Sequence, residues 1–305
     1  MRFSIWPFAA QPWADIREIA AHCEKTGWDG VYFADHFMPN AAGPTALDGD
    51  VLECWSIIAA LAATVPRVRL APLVTSVTYR HPAVIANIAA AVDHVSGGRL
   101  TLGVGAGWQE NEHAAYGLDL GTVRERADRF EEAVQVLRSL LSQPRTTFSG
   151  RYFELQDAPC QPAPVQQPMP LLIGGGGERR TIPLAARYAD HWNTWTTPQQ
   201  LAPKVKVLRE HCDQFGRDAS EVHVSTQALL YLSTDTTWLD SKRQAAAPGL
   251  PVIIGTPAEV TDIIAAYREA GADEIIVPDR TLGAAMSRRK DTCDLLMQEV
   301  VPAFR

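Results

Sequence analysis

The sequence lacks the markers of a secreted, membrane-spanning or metal-stapled protein. Its five cysteines, Cys23, Cys54, Cys160, Cys212 and Cys293, are odd in number and scattered, with no C-x-x-C pair. Neither a disulfide framework nor a structural zinc site is signalled, and they read as reduced thiols of a cytoplasmic protein. The longest run of mostly apolar residues, 57–63, is far short of the ~18 that span a bilayer. The start, MRFSIWPFAAQPW, has no basic segment leading into an apolar one, as a secretory signal has. Basic charge is also in short supply: 28 Lys+Arg against 35 Asp+Glu leave −7. A net acidic chain is a poor electrostatic partner for nucleic acid or an anionic membrane, so neither is expected as a partner. The G-x-x-x-x-G-K-[ST], G-x-G-x-x-G and G-x-S-x-G signatures are absent, and no spacing of His and carboxylates resembles a metal site.

What is present is an ordinary globular composition, 46% hydrophobic and 21% charged, over 305 residues. Eight short β runs, near 2–6, 31–34, 68–74, 99–104, 171–173, 191–195, 222–232 and 274–277, alternate with amphipathic segments. Trp13, Ile16, Ile19, Ala20 and Cys23 share one helical face that Gly27 ends. Thr197-Pro198-Gln199-Gln200 and Thr256-Pro257-Ala258-Glu259 read as capping boxes opening two further helices. Strands alternating with helices predict parallel βαβ units, and eight of them favour a closed (β/α)8 TIM barrel over an open sheet. Residues 1–305 are then one domain. Two segments fit no βα unit and read as insertions: 148–170, with five prolines, and 233–251.

In such a barrel the chemistry sits at the C-terminal strand ends. Those ends carry Asp35-His36, Thr75 through His81, Gly105 through Glu110, Gly174 through Glu178, Asn193 through Trp195, and Asp279-Arg280. The run Gly174–Gly177 lies between a strand and a helix. Its bare backbone suits a phosphate better than a plain turn, with Arg179 and Arg180 near enough to offset Glu178. His36 is the candidate proton donor or acceptor, although a strand-end His is as often a surface residue. Trp108 and Trp195 stand equally well as packing or as stacking partners for a flat ligand.

Several motifs together are specific. Thr78-Tyr79-Arg80-His81-Pro82, Asp93-His94-Val95-Ser96-Gly97-Gly98-Arg99-Leu100 and Leu102-Gly103-Val104-Gly105-Ala106-Gly107-Trp108 resemble the luciferase-like flavin and deazaflavin oxidoreductases. The likeness continues through Phe148–Phe153, Ile173–Gly177, Gly255–Val260 and Gly271–Glu274, nearly the whole chain, and within the family it is to the coenzyme F420 branch. The resemblance implies a (β/α)8 barrel with insertions and hydride transfer between F420 and a small organic substrate. His36 is then the proton donor, with Trp108 beside it. Asp35, Leu73, Val74, Thr75, Val104 and Gly105 would contact the ring, and Gly175, Gly176 and Gly177 the phosphate. It implies a bulge with a non-proline cis peptide around Pro72-Leu73, and a homodimer is the assembly this family commonly forms. The sugar-phosphate dehydrogenases of the branch carry a Glu where Trp108 stands and a Trp where Asn40 stands. That departure speaks against glucose 6-phosphate and for an apolar or aromatic substrate. The alternatives are a reduced-FMN-dependent monooxygenase on the same fold and a non-catalytic flavin-binding relative.

Overall fold

The computed structural model describes residues 1–40 and 43–305. Thirteen strands are present among them: β1 (Arg2–Trp6), β2 (Gly30–Phe33), β3 (Arg69–Pro72), β4 (Thr75–Ser76), β5 (Leu102–Gly105), β6 (Thr146–Ser149), β7 (Glu154–Ala158), β8 (Leu171–Gly174), β9 (His191–Thr194), β10 (His223–Gln227), β11 (Leu229–Leu232), β12 (Val252–Gly255) and β13 (Glu274–Pro278). The helices are α1 (Trp13–Thr26), α2 (Cys54–Thr64), α3 (Pro82–Ser96), α4 (Glu110–Tyr116), α5 (Val123–Ser142), α6 (Thr181–Tyr188), α7 (Pro198–Gln214), α8 (Thr236–Ala245), α9 (Pro257–Glu269) and α10 (Met286–Leu295).

Nine strands form one parallel sheet in the order β3-β2-β1-β13-β10-β9-β8-β5-β4. Strands β3 and β4 are halves of one interrupted stave, so the sheet has eight staves. It closes on itself because Leu70 at the foot of β3 bridges Leu100, while β4 at the top pairs with β5. The expected barrel is therefore formed, with the layer between its strands and helices as the main apolar core.

Sequence determines the detail. Helix α1 buries Ile16, Ile19, Ala20 and Cys23, and Gly27 ends it at φ 91°, where an L side chain is disfavoured. The Thr256 box is made as read, Glu259 accepting from the Thr256 amide at 2.8 Å. The predicted strand 222–232 is two strands. Backbone leaves the barrel at Ala228, and β11 pairs in parallel with β12 in a side sheet.

Both insertions acquire definite roles. The first begins as the β6–β7 hairpin. Its proline-rich remainder, with cis bonds at Pro162 and Pro168, runs under the barrel. There Gln166 meets Arg69 and the Leu100 carbonyl at the N-terminal strand ends, and Asp93 in the last turn of α3. That segment seals the base and is no lid. The second insertion supplies α8 and leads into the side sheet.

The inside of the barrel is layered. Glu274, ionised and wholly buried, is reached by Ser4, Tyr32 and His223 from three other strands. Burial raises its pKa, but the hydrogen bond from His223 and the other polar contacts outweigh this and hold it down at about 2. His191 lies 3.9 Å from it and is held neutral, its pKa depressed to about 3 by burial and by His223. No spacing in the sequence resembled a metal site, yet these three side chains bring donor atoms within 4.8 Å of one another. They are already committed, to each other and to Ser4 and Ser225, and plug the base. Above them lie Tyr32, Ala71, Leu73, Leu172 and Ile276.

Candidate active site

Side chains alternate along a strand. Ser4, Tyr32 and Glu274 point inward, so Trp6, Ala34 and Pro278 at the tops of the same staves do too. They line a cleft of about 170 Å3 at the C-terminal mouth, together with Phe8, Met38 and Trp195. The next inward position along β2 is His36, and it lines the same cleft. Trp195 packs edge-on to Trp6 at 5.7 Å. The cleft is predominantly apolar, with His36, Asn40, Asp279 and Arg280 as its polar groups.

His36 is held by a group that the strand-end reading missed. Its Nδ1 lies 3.2 Å from Oε2 of Glu112, on α4, a helix not predicted from the sequence. The Glu112 side chain is fully buried. Its Oε1 accepts from the amides of Phe37 at 2.7 Å and Met38 at 3.0 Å, and its Oε2 also accepts from the Tyr79 hydroxyl. Burial pushes the carboxyl pKa up, but the bonds from His36 and Tyr79 prevail and leave it below the usual range. Burial and Glu112 together push the Tyr79 phenol well up, so it remains a donor. An ionised Glu112 fixes the ring and its Nδ1–H tautomer, leaving Nε2 for the cleft. Trp108, 54% exposed, stands edge-on to the imidazole at 5.6 Å. A Glu112→Gln chain is expected to lose at least about tenfold in kcat with KM little changed, because a neutral amide no longer fixes one tautomer of the imidazole. An unchanged kcat would remove Glu112 from the site.

Asp35 is a brace. Its carboxylate receives Arg80 through two nitrogens at 2.6 and 3.2 Å and the Thr75 hydroxyl at 3.0 Å. Thr75 in turn accepts from the Trp55 indole at 2.7 Å, and Arg80 reaches Glu53 at 2.6 Å. Burial keeps the Asp35 pKa raised even against Arg80. These side chains fix the His36 loop to α2. Val104 packs into the outer core and offers only backbone to the mouth.

The interrupted stave is the second wall. The cis peptide is Leu73-Val74, one bond later than the resemblance implied. Val74 fills the room left by three glycines: a Cβ on Gly105 or Gly174 would stand 2.5 or 2.8 Å from its methyls. A Cβ on Gly103 would stand 2.0 Å from the Pro72 carbonyl oxygen. This wall is therefore bare backbone. Opposite, at the end of β10, Gln227 is 6% exposed and its Oε1 has no partner among the described residues. A buried orphan amide oxygen at a mouth fits a donor on a ligand.

The glycine run forms the third part. Gly175, at φ 125°, spends its N–H on the Asn193 carbonyl at 2.9 Å. The amides of Gly176 and Gly177 have no partner among the described residues. Any Cβ on Gly176 would lie 2.7 Å from Thr194 Oγ1. The neighbouring cation is Lys204 of α7, whose Nζ donates to the Gly176 carbonyl at 2.8 Å and to Glu178 at 3.0 Å. The expected use of Arg180 is overturned: it turns away to Asp128 and Glu131 on α5, at 2.7 and 3.0 Å. Two free amides, a helix start and one lysine fit a phosphate.

The model of the family described as luciferase-like monooxygenase matches residues 1–247. The chain belongs to that family. It is 36% identical over 180 residues to the F420-dependent glucose-6-phosphate dehydrogenase of Amycolatopsis mediterranei, covering 57% of this chain and 50% of that one. It is 32% identical over 192 residues to pyrimidine monooxygenase RutA of Escherichia coli, covering 61% and 51%. The chain thus spans about half the length of these curated relatives. Among solved structures, the coenzyme F420-dependent tetrahydromethanopterin reductase of Methanopyrus kandleri superposes with a TM-score of 0.83 at 18% identity, covering 100% and 99% of the two chains. That likeness establishes the luciferase-like barrel. Among the described residues no helix is long and apolar enough to cross a membrane.

Proposed function

We propose that this chain is an F420-dependent oxidoreductase, in which His36 exchanges the proton that accompanies hydride transfer to or from a small organic substrate. One observation carries the reading. An imidazole nitrogen is presented to an apolar cleft by a buried, ionised Glu112. The deazaflavin, when bound, carries the hydride and does not readily activate oxygen. Gly176, Gly177 and Lys204 would hold its phosphate, and the Val74 wall and Gln227 would border its ring. The protein's own part is narrower. Glu112 keeps one tautomer of His36, Asp35 and Arg80 fix the loop that bears it, and Trp6, Trp195 and Trp108 exclude water from the proton path. With Trp108 beside His36 in place of a second carboxylate, the acceptor or donor is an apolar or aromatic alcohol, carbonyl or activated alkene rather than a sugar phosphate.

The relation to a pyrimidine monooxygenase supports reduced FMN as the second reading. Fluorescence titration of the purified chain with F420 and with FMN separates them. Micromolar or tighter F420 binding, with FMN at least about tenfold weaker, is the expected result. The opposite order would replace the proposal by the monooxygenase reading, and binding of neither would make the chain a non-catalytic relative.

A further inference from the structure

A cavity of about 790 Å3 lies beside the cleft, between β11, α8 and the 280–288 segment that follows β13. Its lining includes three cations, Lys242, Arg280 and Arg288, and a single carboxylate, Asp235. Asp235 is occupied: its Oδ1 accepts from the Trp238 amide at 3.0 Å and caps α8. Neighbouring cations outside the cavity are paired, Arg243 with Asp240 and Glu259, Arg289 with Asp279, and Lys290 with Glu18. Lys242, Arg280 and Arg288 have no such partner among the described residues. The Lys242 ammonium instead lies over two rings, 5.3 Å from Trp238 and 5.8 Å from Tyr231.

Cations gathered on a concave wall focus a positive potential, here within a chain of net charge −7. Aromatic faces beside them add a surface for a flat or apolar group. Arg280 lines both this cavity and the His36 cleft, so the two spaces adjoin through one side chain. We propose that the cavity is a second binding site, taking an organic oxyanion (phosphate or carboxylate) whose aromatic or apolar portion lies against Tyr231 and Trp238. This site is independent of the glycine run and of the identity of the cofactor.

Calorimetric titration of the full chain without cofactor tests it, with 1-naphthyl phosphate and 1-naphthol as probes. The phosphate is expected to bind at least about tenfold tighter than the naphthol, a margin that charge-assisted hydrogen bonds supply. Lys242→Ala/Arg280→Ala/Arg288→Ala should erase the margin, and Trp238→Ala should weaken both probes. Arg288→Glu alone, an exposed change, should invert the preference and guards against a misfolded triple variant. Lys204→Met, which weakens the separate glycine-run site, should leave the margin between the two naphthyl probes intact. Equal affinity for the two probes, or a margin surviving in the triple variant and in Arg288→Glu, would overturn the proposal. So would loss of the margin in Lys204→Met, which would put the anion on the glycine run, or displacement of the naphthyl phosphate by saturating F420, which would assign the cavity to the coenzyme's own acidic tail.

Discussion

A His36→Ala chain is expected to lose about 10²–10⁴-fold in kcat, the usual worth of a positioned acid or base, while its F420 dissociation constant shifts less than about threefold. The split follows from the geometry. The imidazole stands at the cleft, tied to Glu112 at 3.2 Å, whereas the amides proposed to hold the phosphate, those of Gly176 and Gly177, are on the β8–α6 turn. Alanine removes the Nε2 proton route and leaves those amides in place. It also leaves Glu112 with its amide and Tyr79 donors, so the buried carboxylate is not orphaned and the fold should hold. Steady-state rates and fluorescence titration on the same preparation measure both quantities. A kcat within about threefold of the parent would show that the proton comes from water or substrate.

Gly176→Asp should act in the opposite sense, on affinity before rate. A Cβ there meets Thr194 Oγ1 at 2.7 Å, and the new carboxylate falls near Lys204, whose Nζ would lie 3.7 Å from that Cβ. Bulk closes the approach to the amides, and the negative charge both repels a phosphate and takes its lysine. At least about 100-fold weaker F420 binding is expected, close to 3 kcal/mol. Circular dichroism and thermal unfolding, expected to stay close to the parent, separate a lost site from a lost fold. Lys204→Met, which removes charge without adding bulk, should cost about tenfold. Undiminished F420 affinity in both variants would move the phosphate elsewhere.

The parts legible in the sequence were those with local causes. Periodicity and glycine stops marked the barrel staves and helices such as α1 and α3, because a helical stripe or a left-handed cap is written within a few residues. His36 and the glycine run were legible because a barrel assigns chemistry to one rim. Glu112 was not. Nothing near it in sequence signals a partner 76 positions away, and α4 is too short for a clear stripe. The cation at the glycine run was misassigned for the same reason: Arg180 is adjacent in the chain, but Lys204, on the next helix, is adjacent in space. The break at Ala228 has no local mark: neither glycine nor proline separates β10 (HVSTQ) from β11 (LLYL), and the two are told apart only by the sheet each joins.

Val74 and the three glycines that receive it have an evolutionary consequence. Where a wall consists of backbone seated on a methyl pair, almost any replacement at Gly103, Gly105 or Gly174 meets an atom within 3 Å, so that side of the mouth is frozen against drift. Divergence of substrate range is then left to the rest of the rim, which includes Asn40 and the segment from Asp279 to Ala284. A library confined to those positions would vary the lining of both spaces while leaving the seated backbone untouched.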